Sequence, residues 1–270
     1  MTQRFSGFRA AIAKARLLLR DTGYMVKPDF WQGVQVAERP EAKMREILNF
    51  DFSTMILDYD LDALRADIQP NLPWADEHFE KERVSGQPIN PGETWKTWPY
   101  GNSAGNFRDE QGQFNHSYAE RYWPKFAHQT IGGYLNTAEW TPNDGDALRG
   151  IRYFYADLND LIDHFARDPL TRQGYLPVWF PEDGSHNDRK PCSLGYHFIM
   201  RHGYFHVNYY IRSCDIIRHF QDDIYLTVRL QLWLLEQLRK KDDRWNEIRP
   251  GIFSMYITSL HCFVNDIPKL

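Results

Sequence analysis

The chain has 270 residues, of which 42% are hydrophobic, enough to close one large core or two modest ones. Its formal net charge of −4, without a long basic run, argues against an electrostatic grip on duplex nucleic acid. Frequent aromatics (17 Phe, 15 Tyr and 9 Trp) argue against disorder, and no apolar run reaches membrane-spanning length.

Residues 5 to 21 read as a helix, with Phe8, Ile12, Leu18 and Leu19 near one face and Asp21-Thr22-Gly23 at its end. Val26 to Val36 carries strand-like apolar residues. Phe50 to Ala66 is mixed and supports no assignment. Pro73-Trp74-Ala75-Asp76-Glu77 reads as a helix start, since acidic residues suit a first turn. Pro88 to Asn115 is rich in Gly, Pro and Asn and reads as loop. A further helix is predicted from about Ala156 to Ala166, stopped by Asp168-Pro169. Tyr175 to Phe180 reads as a strand, and Pro181 to Lys190 as a polar loop leading to Cys192. Leu194 to Met200 and Tyr204 to Ile211 alternate around Arg201-His202-Gly203, the strongest hairpin signal in the chain. Asp222 and Asp223 precede a long helical stretch with Val228, Leu232, Leu235 and Leu238 at helical spacing. Ile252 to Ile257 reads as a last strand. Without repeats or a low-complexity linker, a single α+β domain over residues 1–270 is predicted, with a loop-rich insert at about 85–117.

The three cysteines, Cys192, Cys214 and Cys262, are too few and odd in number for a disulfide framework. They point to a reducing compartment, and none has the paired spacing of a zinc site, so no metal is expected. The start opens an amphipathic helix, not a signal peptide, and the expected location is cytoplasmic. A lone cysteine most often reads as a buried core thiol. Cys192, however, is followed by Arg212-Ser213-Cys214-Asp215 and then by Ser259-Leu260-His261. A thiol near an arginine and a hydroxyl supplies a nucleophile and an anion site together, which suits covalent chemistry on a phosphorylated small molecule.

These residues resemble the motifs of the thymidylate synthase superfamily. Pro191-Cys192 is similar to the family's nucleophile motif, Arg212-Ser213-Cys214-Asp215 to its Arg-Ser-x-Asp, and Ser259-Leu260-His261 to its strand-borne histidine. Pro91-Gly92-Glu93-Thr94-x-Lys96-x-Trp98 resembles a segment of the phage deoxycytidylate hydroxymethylases. Asn115-His116-Ser117-Tyr118-Ala119 resembles the Asn-x-x-Tyr-Gly loop, with alanine for glycine. Asp168-Pro169-x-Thr171-Arg172-Gln173 resembles Asp-x-x-Ser-Arg-Arg, with the second arginine lost. The likeness spans roughly 70 to 266 and is strongest from 168 onward.

The resemblance implies a mixed sheet flanked by helices and a sheet-on-sheet homodimer. It implies transfer of a one-carbon unit from 5,10-methylenetetrahydrofolate to carbon 5 of a pyrimidine nucleoside monophosphate. Cys192 would add to carbon 6, with Arg212 steadying the thiolate and, together with Ser213, holding the phosphate. Arg172 would reach the phosphate in the partner subunit's site. His261 would bond the sugar, although Phe263 stands where the family usually has a tyrosine, which keeps cytidylate open beside deoxycytidylate. Asp215 and Trp98 would lie near the folate and Tyr118 in the surrounding loop. Asp223 stands eleven residues after Arg212, where the synthases have the asparagine that reads uracil and the deoxycytidylate hydroxymethylases have aspartate. A carboxyl there argues for cytosine, because it accepts from the exocyclic amine and, protonated, donates to the ring nitrogen. Asp223 would otherwise cap the following helix, a task Asp222 could serve equally well, and a one-residue slip would leave the substrate open. The proton-relaying carboxylate falls to Asp76 by spacing from Trp98 or to Glu77 by residue type.

The chain stops nine residues after His261, and a short tail favours capture of water over hydride, hence hydroxymethylation. The insert around Trp95 to Phe114 would instead close the site for methylation. Deoxyuridylate methylation, and an inactive nucleotide-binding homologue, remain as alternatives. Likeness to phage enzymes implies a role in supplying modified cytosine nucleotide for DNA in an infected cell.

Overall fold

Alternating apolar residues build a seven-stranded mixed sheet. Its elements are β1 (Gln3–Phe5), β2 (Tyr24–Val26), β3 (Met44–Met55), β4 (Tyr175–Pro177), β5 (Ser193–Arg201), β6 (Tyr204–Asp215) and β7 (Arg249–Phe263). The helices are α1 (Phe8–Thr22), α2 (Leu61–Ile68), α3 (Trp74–His78), α4 (Tyr118–Tyr122), α5 (Leu158–Arg167) and α6 (Phe220–Lys241), with shorter helical turns between them. The strand order is β1-β3-β7-β6-β5-β4, with β2 also pairing with β3. This computed structural model describes residues 2–56, 59–104, 108–110, 112–124, 129–131, 134–136, 157–184 and 189–270. The predicted helix start at Ala156, part of the insert and residues 185–188 of the polar loop lie outside the described residues.

The hairpin forms where the alternation placed it. Arg201 pairs with Tyr204, and His202 and Gly203 take φ of 52° and 78°. Two positive φ values in a two-residue loop match the right-handed twist of the flanking strands. Along β6 the buried Phe205, Val207, Tyr209 and Ile211 alternate with half-buried Tyr204, His206, Asn208 and Tyr210. The buried row packs into a core shared with α6, where Ile224, Val228, Leu234, Leu235 and Leu238 are buried. On the other row Tyr210 stacks on Tyr256 of β7, with ring centroids 5.1 Å apart.

Elsewhere tertiary pairing overrides the local reading. α1 begins at Phe8 because Gln3–Phe5 pair in parallel with Phe52–Thr54 of β3. The stretch predicted as strand from Val26 to Val36 forms only the two-residue pair Phe30–Trp31 with Val34–Gln35, around Gln32 and Gly33 at φ 51° and 83°. The unassigned Phe50–Ala66 segment holds the end of β3 and the start of α2, which Asp60 caps by accepting from the amides of Asp62 and Ala63. β7 runs from Arg249 to Phe263, longer than Ile252 to Ile257, because it pairs with β6 on one side and β3 on the other.

Candidate active site

Strand register gathers the residues that resembled motifs. The amide of Arg212 on β6 donates to the carbonyl of Cys192 at 2.9 Å, so the hairpin sets the thiol beside the arginine. β6 and β7 run parallel with Ser213 opposite Ser259 and Asp215 opposite His261. His261 Nδ1 is 3.5 Å from Ser213 Oγ. Cys192, Arg212, Ser213, Asp215, His261, Asp223, Tyr118 and Trp98 all line one cavity of about 560 Å³.

Arg212 donates from Nε to the Pro191 carbonyl and from Nη2 to the Lys190 carbonyl, at 2.9 and 3.1 Å. Its guanidinium and the Lys190 ammonium both approach the Trp179 ring, at 5.8 and 5.9 Å from the centroid. Arg189 and Lys190 line the cavity as well. In sequence they belong to the polar loop, and two adjacent basic residues just before Pro191-Cys192 are the signal for them. Burial raises the Cys192 thiol above its ordinary value, while Arg212 and Arg189 pull it down and Asp223 pushes it up. The arginine effect expected from sequence is therefore present, but burial outweighs it in the resting cavity. His261 is pushed down to about 4 by burial and is neutral near pH 7.

The first turn of α6 separates its two aspartates. Asp222 accepts from the amide and the side chain of Asn71, both at 2.8 Å, and lies 3.4 Å from Trp98 Nε1. Asp223 has the Cys214 thiol at 3.6 Å. Burial pushes Asp223 up to about 7; Arg83 opposes the rise, Asp222 adds to it and the bond from Cys214 opposes it. Neither aspartate caps α6, whose N-cap is His219.

Neither expected proton-relay residue faces the cavity. Asp76 is held by Arg65, Arg229 and Tyr225, the first at 2.8 Å and the last at 2.6 Å. Glu77 is half-buried and pairs with Lys81 at 3.1 Å. The carboxylate that this segment contributes to the cavity is Glu82. It belongs to a π-helical stretch, Phe79–Arg83, that continues α3. Glu82 Oε1 accepts from the amide and hydroxyl of Thr94 at 2.8 and 2.7 Å. Oε2 lies 2.9 Å from His78 Nδ1. Arg83 Nε donates to His78 Nε2 at 3.1 Å. Arginine can only donate, so His78 carries its proton on Nδ1 and gives it to Glu82. Burial raises the Glu82 carboxyl, yet His78 and Thr94 together hold it below its usual range. Ala75, Phe79 and Glu82 are all buried; their α-helical spacing is a partial signal in the sequence, but the π-helical turn breaks that register.

Tyr118 opens α4, whose N-cap Ser117 forms a reciprocal pair with Glu120. Its Oη accepts from Ser193 Oγ at 3.0 Å, and Ser193 in turn meets Tyr209 Oη at 2.5 Å. Trp98 stacks on His219 at 4.8 Å. Asp215 Oδ1 accepts from the amides of Ile217 and Arg218, at 2.9 and 3.1 Å. Its Oδ2 is buried without a hydrogen bond, 3.4 Å from Arg218 Nε. A flat aromatic surface beside a carboxylate oxygen awaiting a donor fits a pterin ring. Arg172 lies outside this cavity. It is exposed and borders a shallow depression with Tyr175, Leu194, His197 and Tyr210 on the sheet.

A thiol beside arginines, with one neutral-leaning and one ionised carboxyl in the same cavity, is a set of groups that suits covalent chemistry on a small anionic compound. Residues 87–270 match the family described as thymidylate synthase. The chain belongs to the thymidylate synthase family, and its fold is the α+β fold of that family. It is similar to the thermostable thymidylate synthase A from Bacillus subtilis, with a TM-score of 0.64 and 12% identity over 97% of this chain and 82% of that one. A search of curated protein sequences finds no match. Membership implies folate-dependent one-carbon transfer to a pyrimidine, with methylenetetrahydrofolate as donor. No helix among the described residues is long and apolar enough to cross a membrane.

Proposed function

We propose that the protein transfers a one-carbon unit to carbon 5 of deoxycytidylate, giving 5-hydroxymethyldeoxycytidylate through a covalent Cys192 adduct. The observation that carries this reading is Asp223, a half-buried carboxyl that lines the same cavity as Cys192 and is pushed up to about 7 by desolvation. Its acid form donates to the unprotonated ring nitrogen of cytosine and its other oxygen accepts from the exocyclic amine. Uracil offers a ring N–H and a carbonyl instead, a mismatch for the same group.

Arg212 and Ser213 take the phosphate, with Arg189 and Lys190 beside them. His261, neutral, serves the sugar. The Cys192 sulfur adds to carbon 6, which makes carbon 5 nucleophilic. The folate supplies a one-carbon unit at the formaldehyde oxidation level, and Asp215 with Trp98 would hold its pterin. Glu82, ionised and fixed by His78 and Thr94, is the base that relays the carbon 5 proton and orients the water that completes the hydroxymethyl group. Elimination of the sulfur frees the product. We assign Arg172 to the phosphate of the partner subunit's site in a sheet-to-sheet homodimer, since it is remote from its own cavity.

Cys192→Ala should abolish turnover while nucleotide binding stays detectable by calorimetry; surviving turnover would refute the covalent route. Tritium release from carbon 5 of deoxycytidylate, cytidylate and deoxyuridylate, with mass analysis of the product, tests the rest. Release from deoxyuridylate alone would overturn the cytosine reading, and a methyl product would overturn hydroxymethylation.

A further inference from the structure

We propose that Arg83 is a positioning residue that sets the charge of Asp223 and so tunes the cavity for cytosine. The inference rests on Asp223 as the reader of the base.

Arg83 is 5% exposed and lines the same cavity as Asp223. All its hydrogen-bond partners are neutral: Nε donates to His78 and Nη1 donates to Tyr122 Oη at 3.2 Å. Its guanidinium sits 4.4 Å from the centre of the Tyr118 ring. Among the described residues it forms no ion pair with a carboxylate, and Nη2 makes no hydrogen bond. A buried cation without an anionic partner is costly to desolvate. Such a residue is expected where its field is used.

The cavity carboxyls that feel it are Asp223 and its neighbour Asp222, which Asn71 already holds. Asp222 from the same helix raises the carboxyl, Cys214 from β6 gives it a hydrogen bond, and Arg83 from the π-helical stretch is the cation acting on it. The ionisable groups Cys192, Tyr118, Tyr196 and Tyr209 also face it, all of them neutral near pH 7. Burial and Asp222 favour the acid, while Arg83 and the N-terminal turn of α6 favour the anion. The balance matters during attack. As the sulfur–carbon 6 bond forms, the proton on Asp223 passes to the ring nitrogen, and the resulting carboxylate stays inside the field of Arg83. When sulfur leaves, the proton returns. Without Arg83 the carboxyl would hold its proton too firmly to give it.

The test is to titrate the Asp223 carboxyl without ligand, by infrared difference spectroscopy of each protein against its own Asp223→Asn counterpart, from about pH 5 to about pH 9. Arg83→Gln and Arg83→Met should move its midpoint up by about one unit, and the alkaline loss of deoxycytidylate binding should move with it. Arg83→Lys should restore both. A folded variant with the parent midpoint overturns the proposal, even if binding is weaker at every pH, since that is the mark of a merely structural residue. If instead the carboxyl midpoint moves but the binding midpoint does not, Arg83 sets the charge and Asp223 does not read the base; that outcome overturns the tuning and separates the two failures.

Discussion

Glu82 and Asp223 both line the cavity, and their surroundings drive their carboxyls in opposite directions. Glu82 receives bonds from His78 and Thr94 and stays below the usual carboxylate range. Asp223 has a weak thiol donor and a neighbouring aspartate and rises to about 7. Divergent environments of this kind divide acid and base roles between like residues. Glu82→Gln should therefore lower kcat by about 10²- to 10⁴-fold with little change in nucleotide affinity, read by steady-state kinetics and calorimetry. For Asp223 the sign follows from the raised value: the acid form persists up to about pH 7, so deoxycytidylate binding should fall as pH climbs past that point. Asp223→Asn should remove this limb and turn preference toward deoxyuridylate, because an amide matches a donor–acceptor edge. A retained limb would assign the titration to another group.

At the scale of elements, the π-helical stretch and the loop above it act as a unit. Gly92 passes so close to Glu82 that a Cβ there would lie 1.8 Å from the carboxyl carbon. Gly92→Ala should displace Glu82 and reproduce part of the Glu82→Gln defect, with wild-type affinity for nucleotide. Normal kcat in that variant would show that the loop yields instead. These two elements also mark what could be read from the chain alone. The hairpin, α6 and the convergence of Cys192, Arg212, Ser213 and His261 were legible, because period-2 alternation and fixed register carry residues to predictable places. The relay carboxylate was not. Asp76, Glu77, Glu80 and Glu82 crowd one short segment, and a π-turn shifts which of them faces inward. β1 escaped notice because three residues gain strand geometry only by pairing with Phe52–Thr54. What sets Asp222 apart from Asp223 is Asn71, which lies some 150 positions away in the chain.

For the whole molecule, the proposed assembly places one subunit's Arg172 at the other's phosphate. Arg172→Ala and Cys192→Ala should each be nearly inactive alone. Mixed after subunit exchange, they should recover up to about a quarter of parental activity, because half of randomly paired dimers carry one intact site. Sedimentation should report a dimer throughout, and failure of the mixture to recover would assign Arg172 to another task. The half-buried row of β6, with Tyr210 stacked on Tyr256, lies beside the depression that Arg172 borders, which suits a packed interface.

The surroundings of Cys192 hold its sulfur in the protonated form at rest. Peroxide and alkylating reagents consume the anion, not the protonated sulfur. The idle thiol is thus shielded against oxidative damage by the same desolvation that raises it, and on the proposed reading its vulnerability begins only when a substrate arrives to share the charge.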